Sequence, residues 1–235
     1  MHNTLSALIE APQTSHSVEL SDLPGMMVEW HSINLAGKAK KSPIIMYDFG
    51  EEWARAMKSH ILEVEPEIRQ LGPDVYPATA KDSLTGRWRY YNVFDYGWAE
   101  LEYAKPIIHK LVDAFVALGQ LTPAQNYHFQ SWCNTFRQGE YIGWHCHCPE
   151  SEYEYPCANI YHGGAHNTQT LYKFAHGHVK GFENIPGRLT LFSNTLPHHV
   201  PPYQGDDARV TQALDFFPQD SHIVSLAESH QWRVL

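Results

Sequence analysis

Positive charge is scarce in this chain, and so is cysteine. Seventeen Lys and Arg stand against 26 Asp and Glu, a formal net charge of -9, and no run of basic residues breaks that balance. A phosphate backbone or an anionic membrane surface attracts the opposite kind of protein surface, so neither a nucleic-acid nor a membrane partner is expected. No apolar run approaches the ~20 residues that cross a bilayer. The opening MHNTLSALIEAPQTSHSVEL lacks the charged start and apolar run of a secretory signal, which gives the expectation of a cytoplasmic protein. The four cysteines, Cys133, Cys146, Cys148 and Cys157, crowd into one stretch. Without export a disulfide framework is not expected, and small buried thiols are the simplest reading. A zinc site from Cys146, Cys148 and neighbouring histidines is the alternative. Alternation along a strand argues against it, because it sends thiols and imidazoles to opposite faces. Internal repeats and low-complexity linkers are also missing, so residues 1–235 are expected to form one domain.

What is present is a globular composition, 43% hydrophobic and 13% aromatic, enough for a real core. Residues 1–25 show little periodicity and hold Pro12 and Pro24, an irregular arm. Met27–Leu35 has the pattern of a strand. From Glu51 to Leu71, Trp53, Met57, Ile61 and Leu62 recur at helical spacing, with acidic residues early and Gly72 after the end. Residues 73–97 are aromatic and turn-rich, with Arg87–Phe94 strand-like. Trp98–Leu118 is a second helix closed by Gly119, with Ile107, Leu111, Phe115 and Leu118 on one side. Trp53 and Phe115 belong to the core. Beyond residue 125 the character changes to short β-like runs at 126–137, 140–147, 157–162, 169–174, 188–193 and 208–217. Gly139, Gly163-Gly164, Pro186-Gly187 and Gly205-Asp206-Asp207 separate them. Many short strands at such intervals predict a mainly β fold, a double-stranded β-helix or jelly roll over 126–217, with the helices of 1–125 bracing the outer face of one sheet.

The chemistry concentrates in Trp144-His145-Cys146-His147, in the later Leu196-Pro197-His198-His199-Val200, and in Arg209-Val210-Thr211. In an extended strand residues i and i+2 share a face, so His145 and His147 can approach one metal ion together. A later strand must supply a third imidazole; His198 is the natural candidate, with His199 as the alternative. Three protein ligands leave open positions, the mark of a catalytic rather than a structural metal. Arg209 suits an anionic co-substrate beside the metal, since a guanidinium grips a carboxylate with two parallel hydrogen bonds. His162, His166, His176 and His178 fall in expected loops and read as solvated. Trp144 suits a pocket wall or the core equally.

This pattern resembles the Fe(II)/2-oxoglutarate-dependent oxygenase superfamily, closest to its small members. The likeness runs through Trp132-Cys133-Asn134, Gly139-Glu140-Tyr141, Trp144-His145-Cys146-His147, Asn159-Ile160-Tyr161, Gly187 to Phe192, His198-His199-Val200 and Arg209-Val210-Thr211, and covers about residues 126–217. The resemblance implies Fe(II) held by His145, His147 and His198, and a 2-oxoglutarate co-substrate whose distal carboxylate pairs with Arg209. It further implies a hydroxyl hydrogen bond from Thr211 and a co-substrate contact from Tyr161. The implied reaction uses molecular oxygen to decarboxylate 2-oxoglutarate to succinate and to hydroxylate a small organic or amino-acid-derived substrate. One departure stands out: the usual triad is two histidines and a carboxylate, and here the acid's place is taken by His147. Three neutral ligands leave the site one negative charge short, and Glu150 or Glu152 can serve as an outer acceptor or a fourth ligand.

Two rival readings follow from the same residues. A cupin would use His145, His147, Glu152 and His198 in an enzyme without 2-oxoglutarate, but it leaves Arg209-Val210-Thr211 without a task. A jelly-roll binding module would leave the histidine cluster to zinc or to nothing. Response to loss of Arg209 separates both from the oxygenase.

Overall fold

The computed structural model describes residues 23–74, 83–121, 127–147, 154–165, 168–218 and 233–235. Most of the expected N-terminal arm, together with Cys148, Glu150, Glu152 and His166, lies outside the described residues. The strands are β1 (Met27–Leu35), β2 (Lys38–Asp48), β3 (Tyr127–Phe136), β4 (Ile142–His145), β5 (Pro156–Gly163), β6 (Gln169–Lys173), β7 (Val179–Glu183), β8 (Arg188–Ser193), β9 (His198–Val200), β10 (Arg209–Pro218) and β11 (Arg233–Val234). Among the described residues they form two antiparallel sheets, a larger one ordered β1-β2-β8-β5-β10-β3-β11 and a smaller one ordered β4-β9-β6-β7. This is the expected mainly β jelly roll.

Two helices, α1 (Glu51–Ile68) and α2 (Ala99–Leu118), lie on the outer face of the larger sheet. Their spacing explains why. Trp53, Ala54, Met57, Ile61 and Ile68 make one buried stripe on α1, and Leu101, Ala104, Ile108, Leu111, Val112 and Phe115 make another on α2. These meet Ile45, Ala158, Ile160, Leu189, Leu191, Val210 and Leu214 from four neighbouring strands in a single apolar cluster. Burying a side chain of this size is worth about 1.5–3 kcal/mol each. Glu65 interrupts the α1 stripe. It is buried, and Arg69 at 2.6 Å and Arg137 at 2.8 Å neutralise it.

The stretch Arg87–Phe94 is not a strand. Two short 3-10 turns, Thr85–Arg87 and Val93–Tyr96, occupy this region. Asn92 caps the second by accepting from the Phe94 amide at 3.1 Å, an Asx arrangement that competes with strand pairing. The aromatic residues that suggested a strand, Tyr91 and Phe94, are buried beneath the sheet instead. β2 joins the centre of the larger sheet through β8, pairing Ile45 with Leu191 and Asp48 with Arg188. Among the described residues no helix is long and apolar enough to cross a membrane.

Candidate active site

β10 shows how the sheet divides its labour. Val210, Leu214 and Phe216 point to the helices and belong to the apolar cluster. With period two, Arg209, Thr211, Ala213 and Asp215 share the opposite face, which looks into the jelly roll. β3 pairs Phe136 with Arg209, Asn134 with Thr211 and Trp132 with Ala213. On the other side β5 pairs Tyr161 with Thr211, Asn159 with Ala213 and Cys157 with Asp215. The smaller sheet closes over this surface.

There β9 sits between β4 and β6, so that His198 faces His145 on one side and Tyr172 on the other. Directly opposed residues of an antiparallel pair bring their side chains close, and the His145 and His198 rings are 4.1 Å apart between centroids. Strand pairing stops at His145. His147 is pinned just beyond it, where its backbone amide donates to Asn194 O at 2.9 Å. Its ring lies 5.6 Å from His145 and 5.1 Å from His198. One ligand nitrogen from each of the three lies within 4.8 Å of the others. His199 points the other way: its ring stacks on Trp144 at 5.3 Å and its Nδ1 meets Ile142 O at 2.6 Å. Trp144 is 46% exposed and so is not a core residue. Among the described residues, no cysteine joins the three-histidine group.

Each of the three rings faces an acceptor at Nδ1. That acceptor is Gly143 O at 3.0 Å for His145 and Leu196 O at 3.1 Å for His198. For His147 it is a very short contact to Asp215 Oδ1. An acceptor opposite Nδ1 places the proton there and leaves Nε2 as the lone-pair nitrogen, the protonation state a metal requires. Burial, reinforced by neighbouring imidazoles, depresses His145 to about 4 and His198 well below the ordinary histidine value. Both are therefore neutral at physiological pH. The donor set fits a divalent transition metal.

Arg209 is 2% exposed, and burial lowers its pKa to about 10, so it stays charged. Among the described residues no carboxylate pairs with it. Its guanidinium lies 5.4 Å from the Phe136 ring and 5.6 Å from the Tyr161 ring. Asn184, with its amide oxygen turned inward, accepts from Nη2 at 3.2 Å. Among the described residues Nε and Nη1 have no acceptor. A buried cation with unsatisfied donors is costly unless an anion completes it. Thr211 Oγ1 accepts from Asn134 Nδ2 at 3.3 Å, and the Tyr161 hydroxyl donates to Ala165 O at 3.3 Å. Gly164 lies so close that a Cβ there would come within 2.9 Å of Arg209 Cα and 3.0 Å of the Tyr161 hydroxyl.

Two residues need relocating relative to the sequence expectations. His162 is not a solvated loop residue. It lies on β5, fully buried, bonded to Gln212 Oε1 at 3.2 Å and depressed by that burial to about 3. Asp215 belongs to no motif in the sequence, although period two from Arg209 and Thr211 puts it on the same face. His176 and His178 are exposed, as expected.

No family model matches the sequence, and no curated protein matches it. Solved structures do. A prolyl-4-hydroxylase from Pseudomonas putida superposes with TM-score 0.52 at 14% identity, over 86% of this chain and 97% of that one. A prolyl hydroxylase from Trichoplax adhaerens, solved with a hypoxia inducible factor oxygen degradation domain peptide fragment, gives 0.51 at 14% identity over 88% and 90%. The chain thus shares the overall fold of these two solved prolyl hydroxylases.

Proposed function

We propose that the protein is a non-haem Fe(II)- and 2-oxoglutarate-dependent oxygenase acting on a small organic or amino-acid-derived substrate. The observation that carries this reading is Arg209, a buried guanidinium whose Nε and Nη1 lack acceptors among the described residues, on the inner face of the larger sheet, while the smaller sheet supplies the three-histidine cluster. A cupin or a zinc module has no use for that charge. A dicarboxylate does: one end reaches the metal and the other takes the arginine's free N–H groups.

His145, His147 and His198 would hold the iron through Nε2. The bound metal supplies dioxygen activation coupled to decarboxylation of 2-oxoglutarate to succinate and carbon dioxide. The chain's own residues do the positioning. Arg209 takes the distal carboxylate. Phe136 and Tyr161 hold the guanidinium between their rings, and Asn134 orients the Thr211 hydroxyl, whose proton is then available to the same carboxylate. Trp132, 5.8 Å from His147, and Phe192, 4.9 Å from His198, line the cluster with apolar surface. That surface limits water at the metal and suits a small substrate carrying C–H bonds.

The test is Fe(II)-dependent succinate formation from 2-oxoglutarate, in wild type and Arg209→Ala. Truncating one partner of a buried charge pair costs about 2–5 kcal/mol, so KM for 2-oxoglutarate should rise at least ~30-fold. An unchanged KM would remove Arg209 from the co-substrate site, and absence of any 2-oxoglutarate turnover would refute the oxygenase assignment.

A further inference from the structure

The three imidazoles of the cluster are not equivalent. His145 and His198 each present Nδ1 to a neutral backbone carbonyl, while His147 alone presents it to a carboxylate, Asp215. The two partners are 68 positions apart and come from opposite sheets, β10 and the extension of β4. Their side chains are both largely buried, with 10% exposure for His147 and 14% for Asp215. Among the described residues no Lys or Arg pairs with Asp215. A largely buried carboxylate without a basic partner is costly unless positive charge reaches it.

Resting on the oxygenase reading above, we infer that Asp215 is a positioning residue for the metal, acting through His147. It supplies the negative charge that a carboxylate in the position of His147 would have given directly. The Asp215 carboxylate accepts the Nδ1–H of His147, fixes the ring with Nε2 toward His145 and His198, and increases the electron donation of that nitrogen. A cation bound at Nε2 in turn neutralises the buried acid. The apparent charge deficit of a three-histidine site is thereby made up one bond further out, with a carboxylate–imidazole pair in place of a carboxylate ligand. The acid comes from the strand that also carries Arg209, so one face of β10 would serve the co-substrate at one end and the metal at the other. Cys157, opposite Asp215 on β5, has its sulfur within the same small group as His147 and Asp215. This raises the competing arrangement in which Asp215 binds a second ion directly.

The test is Co(II) affinity of the full-length protein, measured by competition with a chromophoric chelator, with no turnover involved. Asp215→Ala should weaken Co(II) by about 10- to 100-fold, the usual cost of losing a ligand's outer partner, and Asp215→Glu should recover part of that loss. The effect should reverse in a second background. His147→Asp places two carboxylates side by side, so adding Asp215→Ala there should leave affinity unchanged or tighten it. A purely structural role would weaken both backgrounds alike, and that result would overturn the inference. So would Co(II) binding by a folded Asp215→Asn or Asp215→Ala protein equal to wild type, or a stoichiometry of two ions with one lost in Cys157→Ser. Failure of wild type to bind Co(II) would instead overturn the metal reading itself, and this inference with it.

Discussion

The two faces of the larger sheet use the same strands to opposite ends. Toward the helices, β2, β5, β8 and β10 present Ile45, Ile160, Leu191 and Leu214, each packed against its neighbours. Toward the jelly-roll interior, β10 presents Arg209, Thr211 and Asp215, and there buried polar atoms such as Arg209 Nε and Nη1 and Asn134 Oδ1 have no partner among the described residues. Histidine makes the contrast within one residue type. His162, on the helix side, is held through Nε2 by Gln212, which donates to Ser131 at 2.9 Å, and only its Nδ1 lacks a partner among the described residues. His145, His147 and His198, on the inner side, turn toward one another. The outer face is built to hold the fold together. The inner one retains unfavourable arrangements that a metal and an anion would relieve.

That division can be broken in either direction. The largest effect should come from His198→Ala, which removes one of the three proposed metal donors. Co(II) affinity should fall by more than about 100-fold, beyond the usual cost of an outer-partner loss, while the circular dichroism spectrum keeps its shape. Retained affinity would place the metal elsewhere. Leu191→Ala on the helix side should do the reverse, costing about 2–5 kcal/mol in urea unfolding while Co(II) affinity stays put. A loss under 1 kcal/mol would mean that the outer core is looser than its burial indicates.

Arg209→Met sharpens the contrast further. It replaces a buried, incompletely bonded charge with an apolar chain of similar length, so the metal-free protein should gain about 1 kcal/mol or more even as the proposed co-substrate site is lost. A fall in Tm would show that the guanidinium is a structural member of the core. The smallest expected effect is on pH dependence. His145 and His162 titrate in the folded chain at about 4 and about 3, against 6.5 when unperturbed. Below 6.5 the unfolded chain therefore binds protons that the folded chain refuses. Stability of the metal-free protein should hold above that pH and fall as pH drops from 6.5 toward 4 and 3, by up to about 1.4 kcal/mol per pH unit for each group. His162→Gln should reduce that slope, and a slope unaffected by the substitution would show that His162 is not buried neutral.

Much of this was legible in the sequence because strands have a period of two. His145-x-His147 had to share a face, His198 and His199 could not, and Arg209-x-Thr211 followed the same rule. The helices were legible from Trp53, Met57 and Ile61 and from Leu111 and Phe115. What escaped depends on contacts between distant segments. β2 begins Lys38-Ala39-Lys40-Lys41, which has no strand alternation, and only pairing with β1 extends it. Arg87–Phe94 has strand-forming residues, but Asn92 offers the chain a local alternative. His162 ends the expected β-like run 157–162 and borders Gly163-Gly164, so it reads with the loop, yet β5 runs on to Gly163 and the imidazole is buried. Asp215 shares its face with Arg209 by simple counting, but nothing in local sequence says that this face meets His147 from the other sheet.

The central claim is that the inner face of β10 and the three histidines form one site for a metal and a dicarboxylate. Anaerobic titration of the Fe(II)-loaded protein with 2-oxoglutarate tests it most directly, through the visible charge-transfer band of a co-substrate chelated to iron. A band that saturates in wild type, is lost in His198→Ala and needs far more 2-oxoglutarate in Arg209→Ala is the predicted result. Iron bound tightly by the three histidines with no band at any 2-oxoglutarate concentration would contradict it.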